Sequence, residues 1–207
     1  MEKELDIDQW KRKEHFHFFR KFEEPFFGVT VKIDCTKAYY RVKESDRSFF
    51  LYYLYQSLRA ANTVEEFRYR IKGDKVVVHD QVNASATINR PNGTFGFSYM
   101  DFYKDHHQFD KMAKQEIQRV SESTGLFPAV TSESVIHYSA LPWIDFSSLS
   151  HARSYSSEDS SPKISFGKLT ETKTKKIMSV SVHVHHALMD GHQVGMFIEK
   201  FQEFMNE

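Results

Sequence analysis

The sequence predicts an α/β (α+β) protein, a mixed sheet covered by helices. Three observations carry this: period-2 apolar runs recur along the chain, amphipathic helical runs are interspersed among them, and two strand pairs surround Gly-containing turns. Such frequent hairpins do not fit the strict strand–helix alternation of a Rossmann or TIM-barrel chain. No internal repeat at a fixed period is visible.

Each element has its own signal. Asp6 or Asp8 can cap a helix through residues 10–22, which must end before Pro25. Residues 26–34 (FFGVTVKID) place Phe27, Val29, Val31 and Ile33 on one parity, the mark of a strand with one buried face. From Thr36 the spacing turns helical in AYYRVKES. Past Asp46 and Arg47 it does so again in SFFLYYLYQSLRAANT, apolar almost all round and therefore buried. Residues 67–80 read as two strands joined by Lys72-Gly73-Asp74, where Gly73 can take positive φ cheaply. Residues 85–90 and 95–103 read as strands around Asn92-Gly93, a pair suited to a two-residue hairpin turn. Phe109, Met112, Ile117 and Val120 mark a helix over 105–124 that stops at Gly125. Residues 135–140, 164–169 and 178–185 are three further strand candidates, with a Ser-rich loop at 147–161. Val194, Phe197, Ile198, Phe201 and Met205 then form one stripe of a closing helix.

Composition narrows the function. With 207 residues the chain fits one large domain, spanning 1–207, and 40% hydrophobic content with 19 Phe and 10 Tyr supplies ample core material. Lys+Arg and Asp+Glu both number 28, so no global field draws nucleic acid or an anionic membrane toward it. No window approaches the roughly 18 apolar residues of a membrane span. Cys35 is alone, and the start MEKELDIDQW lacks the apolar core of a signal peptide. A reducing, cytoplasmic setting is expected.

The densest polar constellation is SVSVHVHHALMDGH, residues 179–192, where a strand of alternating valines delivers His183, His185 and His186 to its end. An imidazole with an ordinary pKa of roughly 6.5 can accept a proton near neutral pH, so one of them can act as a general base. Asp190, just before Gly191, suits a turn into the last helix or its cap. A cluster of hydrogen-bonded structural histidines is the competing explanation. His183 and His185 share a strand face as two metal ligands would, yet no acidic or Cys third ligand stands nearby, and no metal is expected.

HHALMDG, residues 185–191, resembles the HHxxxDG signature of the CoA-dependent acyltransferases. WKRKEHF at 10–16, GVTVKID at 28–34, and SALPWIDF at 139–146 after LFP at 126–128 resemble the chloramphenicol acetyltransferase branch, in its order and at its separations. The resemblance covers nearly the whole chain. It implies a two-layer α/β sandwich that assembles as a homotrimer with sites at subunit interfaces, no tightly bound cofactor, and acetyl-CoA and a small-molecule acceptor as partners. It makes His186 the general base toward an acceptor hydroxyl and Ser139 the hydroxyl that stabilises the tetrahedral intermediate. Asp190 and Arg12 become a structural pair that shapes the active-site loop. His185 is then structural, and His183 sits on the sheet without catalytic duty. Trp143 matches an aromatic near the CoA arm, a core Trp being the alternative; Lys168 matches a partner of a CoA phosphate, a solvated strand Lys being the alternative.

The acceptor pocket departs from the family pattern. Phe18, Phe19, Phe95, His151 and Arg153 fall in its expected lining. His151 and Arg153 replace apolar residues, Phe19 stands where a Tyr is usual, Glu23 occupies a normally apolar position, and Leu169 replaces a CoA-side aromatic. Burying unpaired charge costs several kcal/mol. The implied reaction is acetyl transfer to chloramphenicol. The alternatives are a more polar alcohol or amine, or a noncatalytic ligand binder; a metal-dependent hydrolase stands further off.

Overall fold

The parity that marks residues 26–34 as a strand sets the layout of the molecule. The computed structural model describes residues 2–45, 47–127, 132–154 and 159–207. Asp46, Pro128 of the LFP stretch and residues 155–158 of the Ser-rich stretch lie outside the described residues. The elements in chain order are β1 (Glu2–Glu4), α1 (Lys13–Phe19), β2 (Phe26–Asp34), α2 (Thr36–Glu44), α3 (Phe49–Thr63), β3 (Tyr69–Lys72), β4 (Lys75–His79), β5 (Asn83–Asn89), β6 (Phe95–Phe97), α4 (His106–Glu122), β7 (Val135–Ala140), β8 (Lys163–Glu171), β9 (Lys176–His185) and α5 (Gly191–Met205).

Six strands form the main sheet in the order β2-β9-β8-β7-β5-β6. The pairs β2/β9, β8/β9 and β5/β6 are antiparallel, whereas β7/β8 and β5/β7 are parallel, so the sheet is mixed. One parity of each strand joins a single buried cluster with α2, α3, α4 and α5, contributing Ile33, Ala84, Ile136, Ile164, Phe166, Val180, Val182 and Val184. On β5, β7, β8 and β9 the opposite parity is mainly polar. There the registers set His137, Lys163, His183 and Gly28 in one row, and Ser139, Ser165, Ser181 and Thr30 in the next. Successive side chains of a strand alternate faces, so these two rows share the outer face.

Several elements start or stop where a local competitor decides. The first helix begins at Lys13 rather than at residue 10, because the Asp6 carboxylate accepts the N–H groups of Asp8 and Gln9 in a preceding turn and the N-cap, Arg12, offers no side-chain cap. The second hairpin loop has three residues, not two. Arg90 N–H bonds the Thr94 carbonyl at 2.8 Å, and Gly93 takes φ +80° after a turn closed by Gly93 N–H to Arg90 O. Strand β6 stops at Phe97, well short of residue 103. The first hairpin, turning at Gly73 with φ +57°, lies outside the main sheet and pairs with β1 in a small sheet. That sheet is tied on by Phe16, Tyr69 and Val76 packing against Ala187 and Leu188, and by buried Arg70, which donates to the carbonyls of Phe67, Tyr69, Glu133 and Val135.

Gly28 is required by its cross-strand partner. A Cβ built there would lie 1.8 Å from His183 Cδ2, because the imidazole lies over the glycine. Gly28→Ala is expected to destabilise the fold by about 1–3 kcal/mol, the usual range for overpacking. Thermal denaturation beside wild type checks this, and an unchanged midpoint would mean the ring swings clear without penalty.

Candidate active site

β9 ends at His185, and the next five residues turn into α5. The Pro25 carbonyl accepts the His186 N–H at 2.8 Å, holding the turn against the segment that leads into β2. Asp190 then starts α5 in a capping box: its carboxylate accepts the His192 N–H at 2.9 Å, while Gln193 Oε1 accepts the Asp190 N–H at 3.1 Å. Arg12 reaches the same turn. Its Nη1 donates to Asp190 Oδ2 at 2.6 Å and its Nη2 to the His186 carbonyl at 3.1 Å. Partial burial raises the Asp190 pKa, but the His192 N–H and the Arg12 guanidinium outweigh it and hold the carboxyl below its ordinary value. One planar fork thus fixes both ends of the turn. A lysine has a single donor point and cannot span them, so Arg12→Lys is expected to cost about tenfold in kcat/KM with the fold kept. Steady-state kinetics beside circular dichroism checks this.

The His186 ring stacks on Phe19 at 3.9 Å between centroids and leans on Phe27 at 4.6 Å. Its Nδ1 lies 3.2 Å from the Met189 carbonyl. A carbonyl only accepts, so the neutral ring carries its hydrogen on Nδ1 and leaves Nε2 as a free lone pair. That is the form a general base needs. His185 is different: it is 6% exposed, accepts the Ala187 N–H at Nδ1, and is pushed down to about 4 by burial and then by Arg153.

A pocket of about 550 Å³ opens on the outer sheet face. Ser139 lies in it beside His137 and Lys163, with Phe95, Phe97 and Phe127 as an aromatic wall and His151 opposite. Of the residues expected to line an acceptor pocket, Phe95 and His151 are here, whereas Phe18, Phe19 and Arg153 stand outside this lining. The reasons are local. Phe19 is engaged with His186, Phe18 is 59% exposed, and Arg153 pairs with Glu24 and lies over the Phe26 ring at 3.8 Å. The expected buried charge at 151 and 153 is therefore absent from the pocket. Burial, then His183, pulls His151 down to about 4, leaving it neutral at neutral pH, and Arg153 is compensated.

Trp143 is 69% exposed, which removes the core alternative. It lies with Lys168 where the chain after β7 meets a bulge in β8, joined by the Lys168 N–H to the Ile144 carbonyl at 2.8 Å. Leu169 packs against the helix-side core. Glu23 is exposed. Among the described residues, no group of three or more His, Cys, Asp or Glu is placed to hold a metal, and no helix is long and apolar enough to cross a membrane.

The structure therefore gathers the predicted residues in two places. His186, Arg12, Asp190 and Phe19 meet at one end of β9, and Ser139, Phe95 and His151 meet at the pocket. Ser139 is two strands from β9, in register with Ser181, and His186 is five residues further on. With strand spacings of about 4.8 Å and a rise of about 3.3 Å per residue, their Cα positions are about 19 Å apart within one chain. Sequence patterns did not single out Lys163, His137 and Phe97 in the pocket, and Phe127 was noted only as part of the LFP stretch. The outer-face parity of Lys163 and His137 was the available signal.

A sequence model of the family described as chloramphenicol acetyltransferase matches residues 2–202. A chloramphenicol acetyltransferase of Proteus mirabilis is 29% identical over 204 residues, 98% of this chain and 94% of that protein. Chloramphenicol acetyltransferase 3 of Escherichia coli is 32% identical over 204 residues, 98% of this chain and 96% of that protein. A solved chloramphenicol acetyltransferase superposes with a TM-score of 0.89 at 32% identity, covering 99% of this chain and 100% of that one. The dihydrolipoamide acetyltransferase of Azotobacter vinelandii, at 10% identity and a TM-score of 0.66 over 94% of this chain and 86% of that one, shares the fold alone. The architecture is that of the CoA-dependent acyltransferases. Matched over nearly its whole length, the chain belongs to the chloramphenicol acetyltransferase family, a family of acetyl-CoA-dependent transferases.

Proposed function

We propose that this protein, acting as one domain over 1–207 in a reducing cytoplasm, transfers the acetyl group of acetyl-CoA to a hydroxyl of a small acceptor, with chloramphenicol the first named. The observation that carries the reading is the His186 ring, fixed by the Met189 carbonyl with Nε2 left as acceptor. Nε2 takes the proton of the acceptor hydroxyl, and the oxygen attacks the thioester carbonyl. The Ser139 hydroxyl donates to the oxyanion so formed, an interaction worth about 3 kcal/mol in a dry site. Collapse breaks the C–S bond, His186 returns its proton to the thiolate, and the acetyl ester and free CoA leave. Trp143 and Lys168 meet the CoA arm and a CoA phosphate.

Base and donor about 19 Å apart cannot serve one intermediate, which demands contacts near 3 Å. Neighbouring copies in a homotrimer supply one residue each. Two exposed aromatic groups support this: Phe18 and Phe22, 59% and 45% exposed, flank His186 through Phe19, while Phe95 and Phe127, 44% and 73% exposed, rim the Ser139 pocket. Two different patches meeting head to tail close a ring. The second reading, a more polar alcohol or amine as acceptor, is favoured by Lys163 and His137 in the pocket.

The test is release of CoA thiol from acetyl-CoA with and without chloramphenicol, beside His186→Ala and Ser139→Ala. Acceptor-dependent release, absent in each variant and partly restored when the two are refolded together, is expected. Release that survives in His186→Ala overturns the assignment of the base; no restoration on mixing overturns the shared site.

A further inference from the structure

The pocket floor carries a group that the acetyl-transfer chemistry leaves unused. Lys163 is in register with His137, which precedes Ser139 by two residues on the same face. Two residues of rise and one strand spacing put the Lys163 Cα about 8 Å from that of Ser139. The Lys163 side chain is only 11% exposed, and its Nζ donates to Asp159 and, at 3.2 Å, to the Ser161 carbonyl, while lying 4.7 Å from the Phe26 ring centroid. An ammonium has three N–H donors, so one remains. Among the described lining residues Lys163 holds the single formal charge at neutral pH, since burial keeps His137 and His151 near 4 and Asp159 is not in the lining.

Asp159 does not neutralise the floor by itself. Buried Arg70 faces the same cluster, and its hydrogen bonds all go to carbonyl oxygens. Arg153 is matched by Glu24. Asp159 is thus shared between Lys163 and Arg70, the latter also facing Glu133, beneath an aromatic-walled pocket.

We propose that Lys163 is a specificity-determining residue, selecting hydroxylated aryl acceptors that carry a carboxylate on the far side of the ring from the reacting hydroxyl. The aryl body packs on Phe95, Phe97 and Phe127, and the carboxylate accepts the remaining Lys163 N–H. The inference rests on Ser139 marking the reacting centre.

The test compares two benzene-ring alcohols of one shape, one with a para carboxylate and one with a para methyl group, by kcat/KM and by calorimetric binding. Wild type is expected to favour the carboxylate about tenfold or more in both. Lys163→Met, made together with Asp159→Asn so that no carboxylate is stranded, is expected to bring the ratio to about one or below. Lys163→Arg keeps the charge and should keep the preference. Equal or reversed preference in wild type, or a ratio unchanged in the double variant, overturns the assignment. Preferential binding of the carboxylate without turnover of either alcohol upholds the role of Lys163 and overturns acetyl transfer to such alcohols.

Discussion

Replacing His186 by alanine is expected to lower kcat for acetyl transfer by about 10³–10⁴-fold, the upper part of what a positioned general base supplies. An alcohol is a poor nucleophile with its proton in place, and the adjacent His185 cannot stand in: it directs Nδ1 at the Ala187 N–H and is buried. The loss should appear in kcat rather than in acetyl-CoA binding, because the ring is held by Met189, Phe19 and Phe27 and not by Trp143 and Lys168, the residues proposed to meet CoA. Removing the ring forfeits its stacking on Phe19, about 1 kcal/mol, so the variant should stay folded. His186→Gln fills the space without a basic nitrogen and should be as inactive. If it retains a tenth of wild-type kcat, His186 only shapes the turn.

The strand at 26–34, the buried helix at 48–63 and the closing helix were legible because each declares itself through a period. Period gives the face a residue takes, not its neighbour on the next strand. That is why the outer-face row His137, Lys163, His183 and Gly28 appeared only with the registers. For the same reason Arg153 read as an unpaired pocket charge: its partner, Glu24, lies 129 positions away in sequence. β1 has three exposed polar residues and no alternation, so only its pairing with β4 defines it. The motif residues His186 and Ser139 were legible one by one; the about 19 Å between them was not, because it depends on strand order.

Lowering the pH from about 6.5 to about 4 is expected to unfold the protein cooperatively, and the outer-face histidines are the cause. His137 and His185 are each depressed from an ordinary 6.5 to about 4, burial being the largest cause, with Lys163 next for His137 and Arg153 next for His185; Asp159 opposes in both. His151 is likewise near 4 but more open to solvent, and contributes less. The unfolded chain takes up these protons first as pH falls below 6.5, so it binds more protons than the native state throughout the window. Stability therefore rises with pH there: the contribution is intact above 6.5 and progressively lost on the way down to 4. At 1.36 kcal/mol per unit, the His137 and His185 rings each account for about 3 kcal/mol, large against a total stability of about 5–15 kcal/mol. Asp34, held down to about 2 chiefly by its Thr36 hydrogen bond, loses its contribution only below about 3.8, so the two effects separate on the pH axis. Thermal midpoints measured between pH 7.5 and 4.5 should fall steadily below 6.5, and His137→Gln should flatten that slope by about one proton's worth. A midpoint constant from 6.5 to 4.5 would show that these rings are protonated within the fold, their charge answered by Asp159 and Glu24.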